Sequence, residues 1–389
     1  MNKITLPTIR QEFQVRYTYQ LLFTQHLFAV GNPLFKNVLA DYRPNHAIKC
    51  LFVLDQGVLD HHPNLGREIE EYCNHFKNQI QFTDLIAVPG GEQSKKDQSS
   101  VNKCLEAINN NAICRHSFVV VIGGGAVVDM VGYAATIAHR GVKLIRIPTT
   151  VLAQNDAAVG VKNSVNAFDK KNFLGTFSVP YAIINDLEFL KTLEQRDWIA
   201  GIAEAIKVAL IKDKKFFEYI ESNAEALANR EMEPMAYLIH RCAELHMEHI
   251  AEGGDPFESG SSRPLDFGHW SAHKLEYMTG YSLRHGEAVA IGMAIDMVYA
   301  SLVGVLQDDL ERVLSVMKKV GFNLEVPLEK DAEIKELLNG IEEFREHLGG
   351  ELTIPLIPNI GAKTDVHSID YELMEKAVRS FMYKPQNSL

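Results

Sequence analysis

The chain has 389 residues, 46% of them hydrophobic and 23% charged, with a formal net charge of −11. That balance suits two well-filled domains and excludes a disordered chain. The acidic excess also excludes a general nucleic-acid or anionic-membrane surface, so an anionic ligand has to be met by a local cluster of Lys and Arg.

The five cysteines, Cys50, Cys73, Cys104, Cys114 and Cys242, are scattered without metal spacing and read as inert thiols of a reducing compartment. The first ten residues lack a signal-length apolar core and no eighteen-residue apolar run occurs, so a cytoplasmic protein is expected.

Residues 49–55 form a short apolar run ending on the carboxylate of Asp55, as a buried parallel strand leading to a ligand edge does. Residues 118–122 repeat the pattern, and 144–147 and 182–184 extend it, with helical stretches at 65–76 and 97–109 in between. Such alternation builds a parallel sheet covered on both faces. Directly after the second strand comes Gly123-Gly124-Gly125 with Asp129, running into a helix; glycines at a strand-to-helix turn let the backbone approach a pyrophosphate. Pro89-Gly90-Gly91-Glu92 with Lys95, and Pro148-Thr149-Thr150, follow other strands at the same sheet edge, where open α/β sheets bind ligands. Together the three loops favour a dinucleotide over plain turns.

Cations gather next. Lys162, Lys171 and Asn172 lie in a segment of small residues that also carries Asp156, and suit a phosphate, as does Arg140 after the glycine-loop helix. The alternative for Lys170 and Lys171 is a solvated surface loop.

Beyond about residue 193 the chain reads as helical at 198–213, 215–228, 235–252, 271–278, 287–303 and 308–320, which places a boundary near 190. The division is thus 1–190 and 191–389. In the second half His269 and His273 share a helix face, and His285 can return to it after the turn at Thr279-Gly280. That is the spacing of a metal or acid-base site. Glu204, with Lys207 one turn on, offers the carboxylate for a catalytic zinc with three protein ligands and an open position.

Taken in order, these motifs, with Arg140-Gly141, Gly268-His269 and His285-Gly286-Glu287, resemble the dehydroquinate synthase family of sugar phosphate cyclases over about residues 50 to 300. The resemblance implies an α/β N-terminal Rossmann-like domain with a parallel sheet, an all-α C-terminal domain, tightly bound NAD, a divalent metal (zinc or cobalt) and a homodimer. It makes Glu204, His269 and His285 metal ligands, and Asp55, Glu92, Lys95, Gly123, Gly124, Gly125, Asp129, Thr149, Thr150 and Asp186 the NAD site. Asp156, Lys162, Lys171, Asn172, Lys207 and His273 would face the substrate, and Arg140 would reach the neighbouring subunit's phosphate site. The implied reaction is transient oxidation of a seven-carbon sugar phosphate, phosphate elimination, re-reduction and intramolecular aldol closure.

The chain also departs from the dehydroquinate synthase pattern. Twenty-one, seven and three residues before His269, where that pattern has Lys, Arg and Asn, stand Glu248, Ser262 and Asp266. Arg263, one position late, and Arg345, before Gly350-Glu351-Leu352, are the candidate stand-ins. The expectation is a cyclase of a neutral-headed ketose phosphate such as sedoheptulose 7-phosphate. The alternatives are 3-dehydroquinate synthase proper, an NAD- and metal-dependent polyol dehydrogenase, and a non-catalytic NAD-binding scaffold.

Overall fold

In a computed structural model, residues 7–96, 98–168, 170–257 and 265–382 are described. Five strands come first: Gln20–Thr24 (β1), Ile48–Asp55 (β2), Ile80–Val88 (β3), Phe118–Gly123 (β4) and Lys143–Pro148 (β5). A hairpin of Lys162–Ala167 (β6) and Lys170–Phe177 (β7) and the strand Ala182–Asp186 (β8) follow. Six of these pair in parallel, in the order β1-β8-β5-β4-β2-β3. Period-two side-chain alternation fills both faces: Phe118, Val120 and Ile122 pack in one core, Val119 and Val121 in the opposite one.

The chain leaves β2 for the edge strand β3 and returns to β4 on the other side of β2. The sheet thus has its topological switch between β2 and β4, where a crevice opens beyond the strand ends. Leu54 pairs with Ile122, so Asp55 and the Gly123 turn emerge side by side at that crevice.

The second half is largely helical, and Trp198, Phe217, Leu238 and Met293 share its main core. One helix was expected over 198–213; two form, Gln195–Ala200 and Ile202–Lys212, with Gly201 between. A Cβ at Gly201 would collide with Val151 and Leu152, and Asn155 Nδ2 donates to its carbonyl at 2.8 Å, so the glycine lets the two halves of the chain touch. To the expected helices the structure adds an antiparallel hairpin, Ile354–Asn359 (β9) with Ala362–Val366 (β10). Among the described residues no helix is long and apolar enough to cross a membrane.

Candidate active site

Glu204 lies fully buried on the helix Ile202–Lys212, while His269 and His285 each open a helix, His269–Met278 and His285–Leu302. Nε2 of each histidine stands 3.7 Å from Glu204 Oε1, and the three ligand atoms lie within 4.8 Å of one another. The other ring nitrogens are held from behind, His269 Nδ1 by the Phe267 carbonyl at 3.0 Å and His285 Nδ1 by Glu276 Oε2 at 3.1 Å. Such backing fixes ring orientation and aims both Nε2 atoms inward. Neither oxygen of Glu204 has a well-formed hydrogen bond, although the buried Lys207 ammonium faces Oε2 as an ion pair. A buried carboxylate left in this state beside two convergent imidazoles fits a divalent metal with N/O ligands.

Charge in the cluster is uneven. Burial, helped by nearby Lys207, pushes the His269 ring well below the usual imidazole range. Burial acts on His285 in the same direction but is outweighed by Glu276 and Glu204, which raise it. Glu276 resists its own burial because His285 and Lys171 favour the carboxylate, and it is held down at about 2. Lys207 likewise keeps its proton against burial through Glu204 and Asp156.

Around this centre the structure assembles most of the residues expected to meet substrate. His273, exposed, has its ring 5.5 Å from that of His269 and 6.0 Å from that of His285. Asp266 is half-buried just before the helix of His269 and adds to the field at Lys207. Asp156, on a π-helical turn Ala153–Ala157, approaches His246 Nδ1 at 3.0 Å. Its burial is overcome by His246, Lys207 and His285, which keep the carboxyl well below the usual range. Lys171 on β7 pairs with Glu276 at 2.7 Å and Glu92 at 3.7 Å, over the Tyr281 ring. Lys162 is exposed at the start of β6. Both lysines are thus carried by a hairpin, not by the solvated loop that was the alternative for Lys170 and Lys171.

The glycine turn makes a close-fitting cradle. A Cβ at Gly123 would meet Asp55 and Val127 at 3.0 Å, one at Gly125 would meet Ala157 at 3.0 Å, and one at Gly124 would meet Thr150 at 3.4 Å. The helix Gly125–Ile137 begins there with Gly124 at its N-cap and no side-chain cap, which suits a pyrophosphate. Asp55 Oδ1 accepts Gly57 N–H at 2.8 Å and crowds Gly90 of the second loop. Buried Lys95 donates to Asp129 at 2.9 Å, Ser164 at 3.1 Å and Asn172 at 2.5 Å, tying that loop, the glycine helix and the hairpin together. Thr149 is buried behind the cradle, and Thr150 Oγ1 accepts Ala153 N–H at 3.1 Å.

Other expected residues stand elsewhere. Both carboxylate oxygens of Asp186 engage backbone N–H groups, of His26, Leu27 and Glu188, fastening the N-terminal strand to β8. Arg140 is exposed in a left-handed turn (φ 60°). Arg345 pairs with Glu342 one turn back on its own helix, at 3.0 Å. Ser262 and Arg263 lie outside the described residues. Glu248 is exposed and acts on Lys212 at the far end of its helix. Residues two apart on a helix face opposite ways, so His246, not Glu248, meets Asp156.

Sequence reasoning missed Glu276 and His246. Glu276 follows His269 by seven residues and His273 by three, a spacing that puts it on their face. No comparable signal marks His246, whose partner is ninety residues away. Arg146, fully buried in β5, was also overlooked; it donates to the carbonyls of Ala158 and Gly160 and to Asn163 Oδ1, holding the turn of Asp156 and the hairpin together.

Comparison with known proteins agrees with this geometry. Models described as 3-dehydroquinate synthase N-terminal and C-terminal match residues 85–200 and 201–343. The 3-dehydroquinate synthase of Aliivibrio fischeri (strain MJ11) is 33% identical over 81% of this chain and 86% of its own length. Among solved structures, 2-epi-5-epi-valiolone synthase from Streptomyces hygroscopicus subsp. jinggangensis 5008, bound to NAD+ and Zn2+, superposes with a TM-score of 0.85 at 27% identity. That match covers 96% of this chain and 99% of the other. A 2-deoxy-scyllo-inosose synthase complexed with carbaglucose-6-phosphate, NAD+ and Co2+ shares the fold, with a TM-score of 0.77 at 21% identity over 93% of this chain and 96% of its own. The chain therefore belongs to the 3-dehydroquinate synthase family of sugar phosphate cyclases, phosphate-eliminating carbon-oxygen lyases.

Proposed function

We propose that the protein is an NAD- and metal-dependent cyclase of a neutral-headed seven-carbon ketose phosphate, of the sedoheptulose 7-phosphate type, rather than 3-dehydroquinate synthase proper. The observation that carries this reading is charge balance: Lys171 is matched by Glu276 and Glu92, Lys207 by Glu204, and Asp266 adds a further carboxylate. A second anionic group on the substrate would meet carboxylates here, and like charges brought together cost several kcal/mol, roughly. Kinship with an enzyme named for 2-epi-5-epi-valiolone supports the same choice.

In this reading Glu204, His269 and His285 hold the metal, and Asp55, Glu92, Lys95, the Gly123-Gly124-Gly125 turn, Asp129, Thr149 and Thr150 form the NAD site, while the Asp186 carboxylate, already taken by backbone N–H groups, is left out of it. When bound, NAD accepts and returns one hydride, and the metal acidifies the alcohol it meets. Lys207, kept protonated, offers a fixed donor to substrate oxygen. Asp156 with His246, and the exposed His273, exchange protons with the opened chain. Lys162, Lys171 and Asn172 orient the phosphate, so that the chain's flexible ends meet in a productive geometry. The same reading keeps the division near residue 190 and a homodimer in which Arg140 reaches the partner's phosphate site. Its exposure on a left-handed turn supports that role.

The test is to incubate metal-loaded protein and NAD with seven-carbon ketose phosphates, neutral and acidic, and follow phosphate release and product NMR. Turnover of sedoheptulose 7-phosphate is expected; turnover of the acidic substrate alone would reject the substrate assignment.

A further inference from the structure

We infer that Asp296 is a positioning residue for the metal centre, fastening the turn that delivers His269 to the helix that delivers His285. The inference rests on the metal reading above. Asp296 is fully buried on the helix His285–Leu302, eleven residues beyond His285. Its Oδ2 accepts the Gly268 N–H at 3.0 Å and its Oδ1 the Trp270 indole N–H at 2.8 Å. These donors flank His269 on both sides, so one carboxylate grips the turn before and after the ligand.

The backbone around it leaves no slack. Gly268 adopts a left-handed φ of 76°, and a Cβ there would stand 2.7 Å from Met293 N. One turn before Asp296, Gly292 lies so close that an added Cβ would strike the Gly268 carbonyl. The two helices therefore meet backbone to backbone, and the carboxylate supplies the directional part of the contact. A buried acid whose partners among the described residues are two neutral donors is a costly way to hold two helices together, whereas a hydrophobic side chain would pack them without fixing the turn. Fixing the turn is what a ligand histidine requires.

Asp296→Asn tests this. Its amide keeps the shape but presents one acceptor and one donor where two N–H groups arrive, so one N–H loses its partner. Trp270→Phe, which removes only the indole donor, is the second variant and decides the matter if the first does not fold. Zinc affinity, read by competition with a chromogenic chelator, is expected to weaken about tenfold or more in Asp296→Asn and less in Trp270→Phe. The visible spectrum of the cobalt-substituted variants should shift as ligand geometry relaxes. Asp309→Ala, which removes the N-cap of the helix Leu310–Val320, serves as a control for general destabilisation and should leave zinc affinity unchanged. Wild-type zinc affinity and cobalt spectrum in both variants would overturn the inference. Failure of the wild-type protein to bind zinc would instead overturn the metal reading on which it rests.

Discussion

Glu276→Gln is the most telling single change, because Glu276 joins the metal side of the site to the phosphate side. It accepts from His285 Nδ1 at 3.1 Å through one oxygen and from Lys171 Nζ at 2.7 Å through the other, and it is almost completely buried. Its carboxyl is held at about 2, against 4.5 for an ordinary glutamate. At about 1.4 kcal/mol per pH unit, that preference for the charged form is worth about 3 kcal/mol, within the range measured when one partner of a buried pair is removed. The glutamine retains the size but not the charge, leaving Lys171 with Glu92 at 3.7 Å and His285 without a carboxylate behind it. Loss of such a partner weakens metal binding roughly 10- to 100-fold. Chelator competition should therefore show weaker zinc binding, and urea unfolding of the metal-free protein at neutral pH a loss of about 3 kcal/mol. Zinc affinity within twofold of wild type, with unchanged stability, would refute the bridging role.

Three further outcomes are expected. Gly292→Ala drives a methyl group against the Gly268 carbonyl and should lower both zinc affinity and thermal stability; unchanged values would mean the helices can part without disturbing His269. His246→Ala leaves the Asp156 carboxylate without its imidazole and should reduce kcat by about a hundredfold while zinc affinity holds, a split that steady-state kinetics and chelator titration reveal together. Asp296 gives a pH signature in the metal-free protein, because burial raises its carboxyl from 3.8 to about 7. The folded state holds that proton more tightly than the unfolded one, so its stabilising effect is complete below 3.8 and lost as pH rises through about 7. Asp296→Asn should gain stability relative to wild type between pH 4 and pH 8, on the order of a few kcal/mol by chemical denaturation; a flat difference would contradict the burial argument.

The sheet was legible because its strands are nearly unbroken short apolar runs ending in Asp55, Gly123 or Pro148-Thr149, as buried parallel strands are. The nearness of His269 and His273 was legible because four-residue spacing converts directly into a shared helix face. The β6-β7 hairpin was not: most of its residues are polar, so no hydrophobic period separates it from a loop, and pairing with the Lys95 knot holds its inner face. Asp296 was hidden for the opposite reason. It sits in an otherwise apolar helix, and only the approach of Gly268 and Trp270 from another helix gives it a purpose. The substitution at 248 illustrates a third limit. Counting along the chain places Glu248 in the site, while the rotation of the helix puts His246 there.

The most direct test of the cyclase assignment is the stoichiometry of turnover with sedoheptulose 7-phosphate and NAD present in amounts far below substrate. Phosphate release continuing well beyond the NAD supplied, with a cyclitol product and no net NADH, is the predicted result. NADH accumulating in step with substrate consumption, without phosphate release, would contradict it and make the protein a dehydrogenase on a cyclase fold.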